Sequence, residues 1–331
     1  MSEADDLKEK LFAVTISLGD KFYNDKDYEQ AATRYTEAII NKPDEASAYN
    51  KLGDAYYCLE KYDLAISDYD EAFNLNPALE PNPKRAAAHN KRGDFYFQQG
   101  EFDSAISDYN RAIELNLKNA EIYSKLGDAY YNLEKYDSAI LNYEEALKLN
   151  PNDAETYNKC GDIYYLLKKY DSAEKKYDKV IDRNPNDAEV YKKRGDSCYH
   201  QGKYDSAILN YNTAIELKEN YLEAYYQRAI TYDALKQYLR AIQDYAKVIE
   251  ANPDFDDADN KFDSAFLNYR QKPPSSLTED YYERANDFYH SIDYFQAVQN
   301  YAKVLECDPR HKSAFDNLKL AYDNLGFQSS Y

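Results

Sequence analysis

Large apolar residues recur along this chain seven apart, in pairs that share one helical face. Tyr123 and Tyr130 form one such pair, and Tyr136 and Tyr143 form the next. Spacing of this kind marks an amphipathic helix. Small residues stand between the large ones. Gly19, Gly53, Gly93, Gly127, Gly161 and Gly195 are each followed by Asp, at intervals of 34 residues except for one of 40. A fixed period of this length predicts a stacked array in which each period is one supersecondary unit. With each Gly set at position 8, the frame runs 12–45, 46–79, 86–119, 120–153, 154–187, 188–221, 222–255 and 278–311. Ala229 and Ala285 take the Gly place in the last two.

Each unit reads as two helices and a turn. Aromatic residues at positions 4 and 11 mark the first helix and those at 17 and 24 the second; position 24 is Tyr throughout, from Tyr35 to Tyr301. Gly100 and Gly202 fall at position 15, between the helices. Pro at position 32, as in Pro43 and Pro151, ends the second helix because it cannot continue one. A mid-helix Gly costs about 1 kcal/mol against Ala. Its recurrence therefore predicts a close approach of the two helices, with the Ala at position 20 (Ala65, Ala139) as the facing small residue.

Two segments interrupt the period. Residues 80–85, with Pro81 and Pro83, are expected to be a loop insertion. Residues 256–277 keep Phe262, Phe266 and Tyr269 at helical spacing and end in two prolines and two serines, Pro273 to Ser276. They read as a linker helix or half-repeat followed by a breaker. Residues 312–326 place Phe315, Leu318 and Tyr322 at first-helix core positions and Gly326 at position 15. That is the pattern of a terminal cap, which covers the last face of a stacked array.

The frame of Gly at 8, Ala at 20, Tyr at 24 and Pro at 32 resembles the tetratricopeptide repeat (TPR), a helix–turn–helix unit. The resemblance implies an all-α solenoid, a right-handed superhelix of about eight repeats plus a C-terminal capping helix, serving as a protein–protein interaction adaptor. The expected organisation is a lead-in at 1–11, seven repeats over 12–255 and the interruption at 256–277. The eighth repeat at 278–311 and a capping helix with its tail at 312–331 complete it.

Charge narrows the partners. The chain carries a net −19 and a pI near 4.7. Nucleic acid and anionic membrane both want a basic face, so neither is expected as a partner. The N-terminus lacks a basic, apolar signal sequence, no apolar run approaches the roughly 18 residues of a membrane span, and a cytoplasmic location is expected. Cys58, Cys160, Cys198 and Cys307 stand singly with no CxxC; Cys160 and Cys198 occupy apolar places in the frame and read as reduced core fillers. The four histidines lack metal-ligand spacing, and no phosphate loop or dinucleotide fingerprint is present. No metal, cofactor or enzymatic activity is expected.

The candidate binding residues share one face of the first helices, positions 5, 9 and 12. In the TPR family that face lines the concave groove. Position 5 supplies Asn50, Asn90 and Asn158, whose amides can hold an extended backbone. Position 9 supplies Asp54, Asp94, Asp128, Asp162 and Asp196, which favour Lys or Arg on a ligand. Position 12 supplies Tyr57, Phe97, Tyr131, Tyr165 and Tyr199 as contact area. The expected partner is another protein, bound through an extended basic or aromatic-containing peptide segment.

Two other readings stay open. Lys at position 6 lies four residues after Glu at 2, as in Glu121 and Lys125, and three before Asp at 9. The ladder could then be solvated helix charge, worth a few tenths of a kcal/mol per pair. The alternative function is a self-assembling structural scaffold, a homo-oligomer joined through its repeat-end faces. One TPR subtype is disfavoured: co-chaperones that hold a C-terminal carboxylate use a basic clamp, and position 9 here is Asp where that clamp has Asn.

Overall fold

The computed structural model describes residues 3–78, 82–269 and 278–325. Among these residues there are eighteen α-helices and no strand. They fall into two compact units, Met1–Thr156 and Tyr157–Tyr331. The first unit holds α1 (Glu3–Asn24), α2 (Tyr28–Asn41), α3 (Ala46–Cys58), α4 (Tyr62–Leu75), α5 (Pro83–Gln98), α6 (Phe102–Glu114), α7 (Ala120–Asn132) and α8 (Tyr136–Leu149). Helix α9 (Ala154–Leu166) starts at its end. The second unit continues with α10 (Tyr170–Ile181), α11 (Ala188–His200), α12 (Tyr204–Leu217), α13 (Leu222–Ala234) and α14 (Tyr238–Ala251). It closes with α15 (Ala258–Tyr269), α16 (Thr278–His290), α17 (Tyr294–Cys307) and α18 (Lys312–Asn324).

Within a repeat, the first helix stops because position 15 adopts a left-handed backbone. All eight repeats do this: φ is 78° at Gly100 and 73° at Gly202, but also 59° at Glu60 and 66° at Ile292. Only Gly takes this conformation without steric cost, so six repeats carry strain at the turn. Within each unit, first helices pack on second helices and second helices on a following first helix, as in α1 on α2, α2 on α3, α10 on α11 and α11 on α12. Position 24 is the centre of each hairpin. Tyr35, Tyr69, Tyr109, Tyr143, Tyr177, Tyr211, Tyr245 and Tyr301 are the largest fully buried side chains of their repeats.

Three segments differ from the simple frame. Helix α1 begins at Glu3, so described residues of the lead-in are helical. Pro83–Arg85, expected in a loop insertion, form the first turn of α5, with Asn82 capping the backbone N–H of Lys84. Pro at the first turn explains this, since its missing N–H is an orphan there. Helix α15 packs on α14 as a first helix does, burying Ala258, Phe262 and Ala265. Its rings also serve α18: Phe262 stacks on Tyr322 at 4.3 Å, and Phe266 meets Phe315 at 5.0 Å. Helix α15 thus supplies the aromatic partners that a following second helix would supply elsewhere. Gly326 and residues 270–277 lie outside the described residues.

Candidate functional site

The site is built on a three-residue device. A Cβ added at Gly19 or Gly127 would lie 2.5 Å from a ring carbon of Tyr35 or Tyr143, and the four other position-8 glycines would meet their own Tyr at 2.6–2.8 Å. The nearest approach is thus to the position-24 ring rather than to the position-20 Ala; at Gly53 the Ala65 carbonyl also comes within 3.2 Å. Gly lets the Tyr ring cross the first helix, and its hydroxyl then emerges beside the next residue. There it donates to the position-9 carboxylate: Tyr69 to Asp54 at 2.8 Å, Tyr109 to Asp94 at 3.0 Å, Tyr143 to Asp128 at 2.6 Å. In the second unit Tyr177 donates to Asp162 at 2.8 Å and Tyr211 to Asp196 at 2.9 Å. Burial raises the Tyr69, Tyr109, Tyr177 and Tyr211 phenols above their ordinary range, and the adjacent carboxylates add to the shift.

Lysines complete the ladder, and they do so across repeats. Lys51 reaches back to Asp20 at 2.6 Å, Lys125 to Asp94 at 2.9 Å and Lys193 to Asp162 at 2.9 Å. The pairing within one helix, three residues apart, gives way to a pairing 31 residues apart. Lys125 and Lys193 also hold the Glu one turn earlier, Glu121 at 2.8 Å and Glu189 at 3.2 Å. Burial would lower the Lys125 ammonium, but Glu121 and Asp94 together hold it above its usual value. Asp196 differs: it is buried and pairs with Lys192 on its own helix at 2.9 Å. Burial there raises its carboxyl despite Lys192 and Tyr211.

The other candidates are half-occupied by the fold. Each position-12 ring packs against the first residue of its second helix, three of them edge-on: Tyr57 on Tyr62 at 5.8 Å, Phe97 on Phe102 at 5.3 Å, Tyr165 on Tyr170 at 5.4 Å. Tyr199 meets Tyr204 at 5.5 Å and Tyr131 meets Tyr136 at 5.8 Å, with Tyr131 the most open of the five at 41% exposure. Asn50 is half-buried, Asn90 holds its Oδ1 buried without a hydrogen-bond partner, and Asn158 accepts from Lys193 at 3.4 Å. In the first unit the position-9 and position-12 rows border a cleft of about 300 Å³. Its walls are Asp94, Phe97, Gln98, Tyr109, Lys125 and Asp128.

Two polar systems lay beyond sequence reasoning. One joins position 7 to position 23: Arg92 grips Asp108, which also holds His89 at 2.8 Å, and Arg228 grips Asp244 through two bonds of 2.7 Å. The other enters from the first turn of α5. Lys84 donates to the Tyr23 hydroxyl at 2.8 Å, lies 5.2 Å from its ring centre and sits 3.2 Å from Asp54. Asn82 donates to the same Asp54 at 3.0 Å. The signal was the insertion at 80–85, which moves Lys91 out of the register that elsewhere brings a position-6 Lys to the preceding Asp. Cys198, near His200 in sequence, is buried with its thiol pushed up to about 12, while the exposed His200 ring stacks on Tyr170 at 4.7 Å. Among the described residues, no helix is long and apolar enough to cross a membrane.

Sequence profiles for this helical hairpin match most of the chain. One described as a TPR repeat matches residues 93–134, 127–168 and 195–236; others described as tetratricopeptide repeats match 16–76, 154–187 and 222–255. The chain belongs to the tetratricopeptide repeat family. It is similar to the small glutamine-rich tetratricopeptide repeat-containing protein 2 of Saccharomyces cerevisiae, 36% identical over 75 residues, 22% of each chain. The chain thus spans about a fifth of that relative's length. Among solved structures it is similar to MamA, with 25% identity, a TM-score of 0.47, and coverage of 49% of this chain and 94% of that one. It is also similar to YrrB, described as a TPR protein with an unusual peptide-binding site. There the identity is 20%, the TM-score 0.44, and coverage 57% of this chain and 95% of that one.

Proposed function

We propose that this chain is a non-enzymatic protein–protein interaction adaptor. Its first-helix face takes an extended segment of another protein that carries basic or aromatic side chains. The observation that carries the reading is the cleft between the third and fourth repeats, where Asp94, Phe97 and Asp128 stand together with the Tyr109 hydroxyl. A cationic side chain laid over the Phe97 ring would reach a carboxylate on either side. Lys125 already answers part of that charge, so selectivity rests on the ring and the carboxylates acting together. In the second unit Asp162, Tyr165 and Asp196 stand at the same three frame positions, with Asn158 at position 5 beside them in sequence.

The test must remove charge without removing the anchor of a buried Tyr. Asp→Asn does this, because Asn286 already accepts from Tyr301 at 2.6 Å in the eighth repeat. Asp94→Asn combined with Asp128→Asn is expected to weaken binding of short Lys- and Arg-containing peptides about tenfold, while leaving the melting temperature within a few degrees. Equal affinity of variant and wild type for every such peptide would sink the reading.

A second reading has its own observation. Leu7, Leu11 and Val14 form an exposed row on α1, whereas the residues matching Val14 in later repeats, such as Ala48, Ile122 and Val190, are buried. A row of this spacing would pack against a second copy of the chain, which is the self-assembling scaffold.

A further inference from the structure

We propose that Tyr23 and Asp54 form a lysine-binding subsite of the first-helix face, which the chain fills in cis with its own Lys84. A partner's lysine must then displace Lys84 to occupy it. The inference deepens the adaptor reading and rests on it, since it names one subsite and the side chain that subsite takes.

The ladder itself marks Lys84 as an intruder. Asp20, Asp94 and Asp162 are each met by a lysine from position 6 of the next first helix, Lys51, Lys125 and Lys193. Asp54 is met instead by a residue from the turn before the repeat begins. The position-6 residue of α5, Lys91, is exposed. Lys84 also reaches further than any of the others. It contacts Tyr23, 61 residues away, and so bridges the first-helix faces of the first and second repeats.

The chemistry of the place selects a lysine. Asp54 Oδ1 accepts from the Tyr69 hydroxyl at 2.8 Å and from the Asn82 amide at 3.0 Å. Oδ2 is left to face the cation, at 3.2 Å from Lys84 Nζ. A guanidinium binds a carboxylate best through both oxygens at once, and one oxygen is already taken. An ammonium has three freely rotating donors and suits the geometry: one to Oδ2, one to the Tyr23 hydroxyl, with the ring face 5.2 Å away.

The arrangement is also open to exchange. The Lys84 and Asp54 side chains are 34% and 27% exposed, so water can replace the ion pair as it breaks. A partly exposed pair of this kind contributes little net stability. A competing lysine of the same chemistry, tethered to a segment already bound elsewhere on the face, needs only a modest advantage to take the place.

The experiment uses the full chain and three probes: an alanine peptide with one central lysine, the same peptide with arginine there, and the same peptide with acetyl-lysine. Affinity is measured by calorimetry, and occupancy by the ring resonances of Tyr23 and, separately, of Phe97. Lys84→Ala and Lys84→Met, the latter keeping the stem over Tyr23, are both expected to strengthen binding of the lysine peptide about fivefold. The Tyr23 resonances should move and the acetylated peptide should gain nothing. Adding Asp54→Asn should erase the gain. Two results would overturn the proposal. If Tyr23 stays silent and affinity is unchanged while Phe97 still reports binding, the cis-lysine is only a structural staple and the adaptor reading survives. If neither ring responds in any variant, the adaptor reading falls with it. A gain for arginine equal to that for lysine would overturn the selectivity.

Discussion

Tyr at position 24 shows how one residue's cost depends on its neighbours. In six repeats its hydroxyl rests on an Asp, and in the eighth on Asn286. In the seventh, position 9 is Ile230, and the Tyr245 hydroxyl is buried with no hydrogen-bond partner. Tyr245→Phe should therefore stabilise the chain by about 1 kcal/mol, whereas Tyr177→Phe, which breaks a bond to a carboxylate, should cost about 1–2 kcal/mol. Urea denaturation of the two variants checks the opposite signs. Asp68, at position 23 of the second repeat, has Leu52 at position 7 where Asp108 and Asp244 find an arginine. Its Oδ2 is buried without a partner, and burial pushes the carboxyl up to about 7 from an ordinary 3.8. The folded form then holds this proton more tightly than the unfolded form, so its contribution to stability falls as pH rises from 3.8 towards 7. Asp68→Asn should gain about 1 kcal/mol at about pH 8, discounted for partial exposure, and nothing below about pH 4. Thermal melts across that range decide it.

At the scale of the helix, the stops carry the strain. Ile292 is the worst case, a β-branched residue held at φ 66° and 72% exposed, so little packing depends on its side chain. Ile292→Gly should gain about 1 kcal/mol, the relief of the left-handed conformation exceeding the entropy that Gly adds to the unfolded chain. The gain should appear in slower hydrogen exchange of α16 and α17; faster exchange would refute it. The same scale explains what was legible. Helix ends follow in part from local chemistry: Gly100 and Gly202 at the turn between helices and Pro43 and Pro151 after the second helix are visible without a fold, whereas Pro83, read as part of a loop insertion, opens α5. The role of α15 was not, because Phe262 and Phe266 find their partners Tyr322 and Phe315 60 and 49 residues on.

For the molecule as a whole, the net −19 conceals a face that is largely answered from within. The Asp ladder looked like a surface awaiting cations, and Lys51, Lys125 and Lys193 already reach it. Association is the property to measure at this scale. If copies pair through Leu7, Leu11 and Val14, then Val14→Glu should abolish any rise of mass with concentration in light scattering; a mass that never rises in the wild type removes the scaffold reading. The sequence by itself determined the repeat, its register and the turns that separate its helices. Those depend on residues close in the chain: a Pro that cannot continue a helix and a Gly at the turn. Only the tertiary structure decided which lysine meets which aspartate and that the first turn of α5 lies across Tyr23 and Asp54. The separation between stacked helices sets those distances, and a pairing 31 or 61 residues long leaves no local pattern to read.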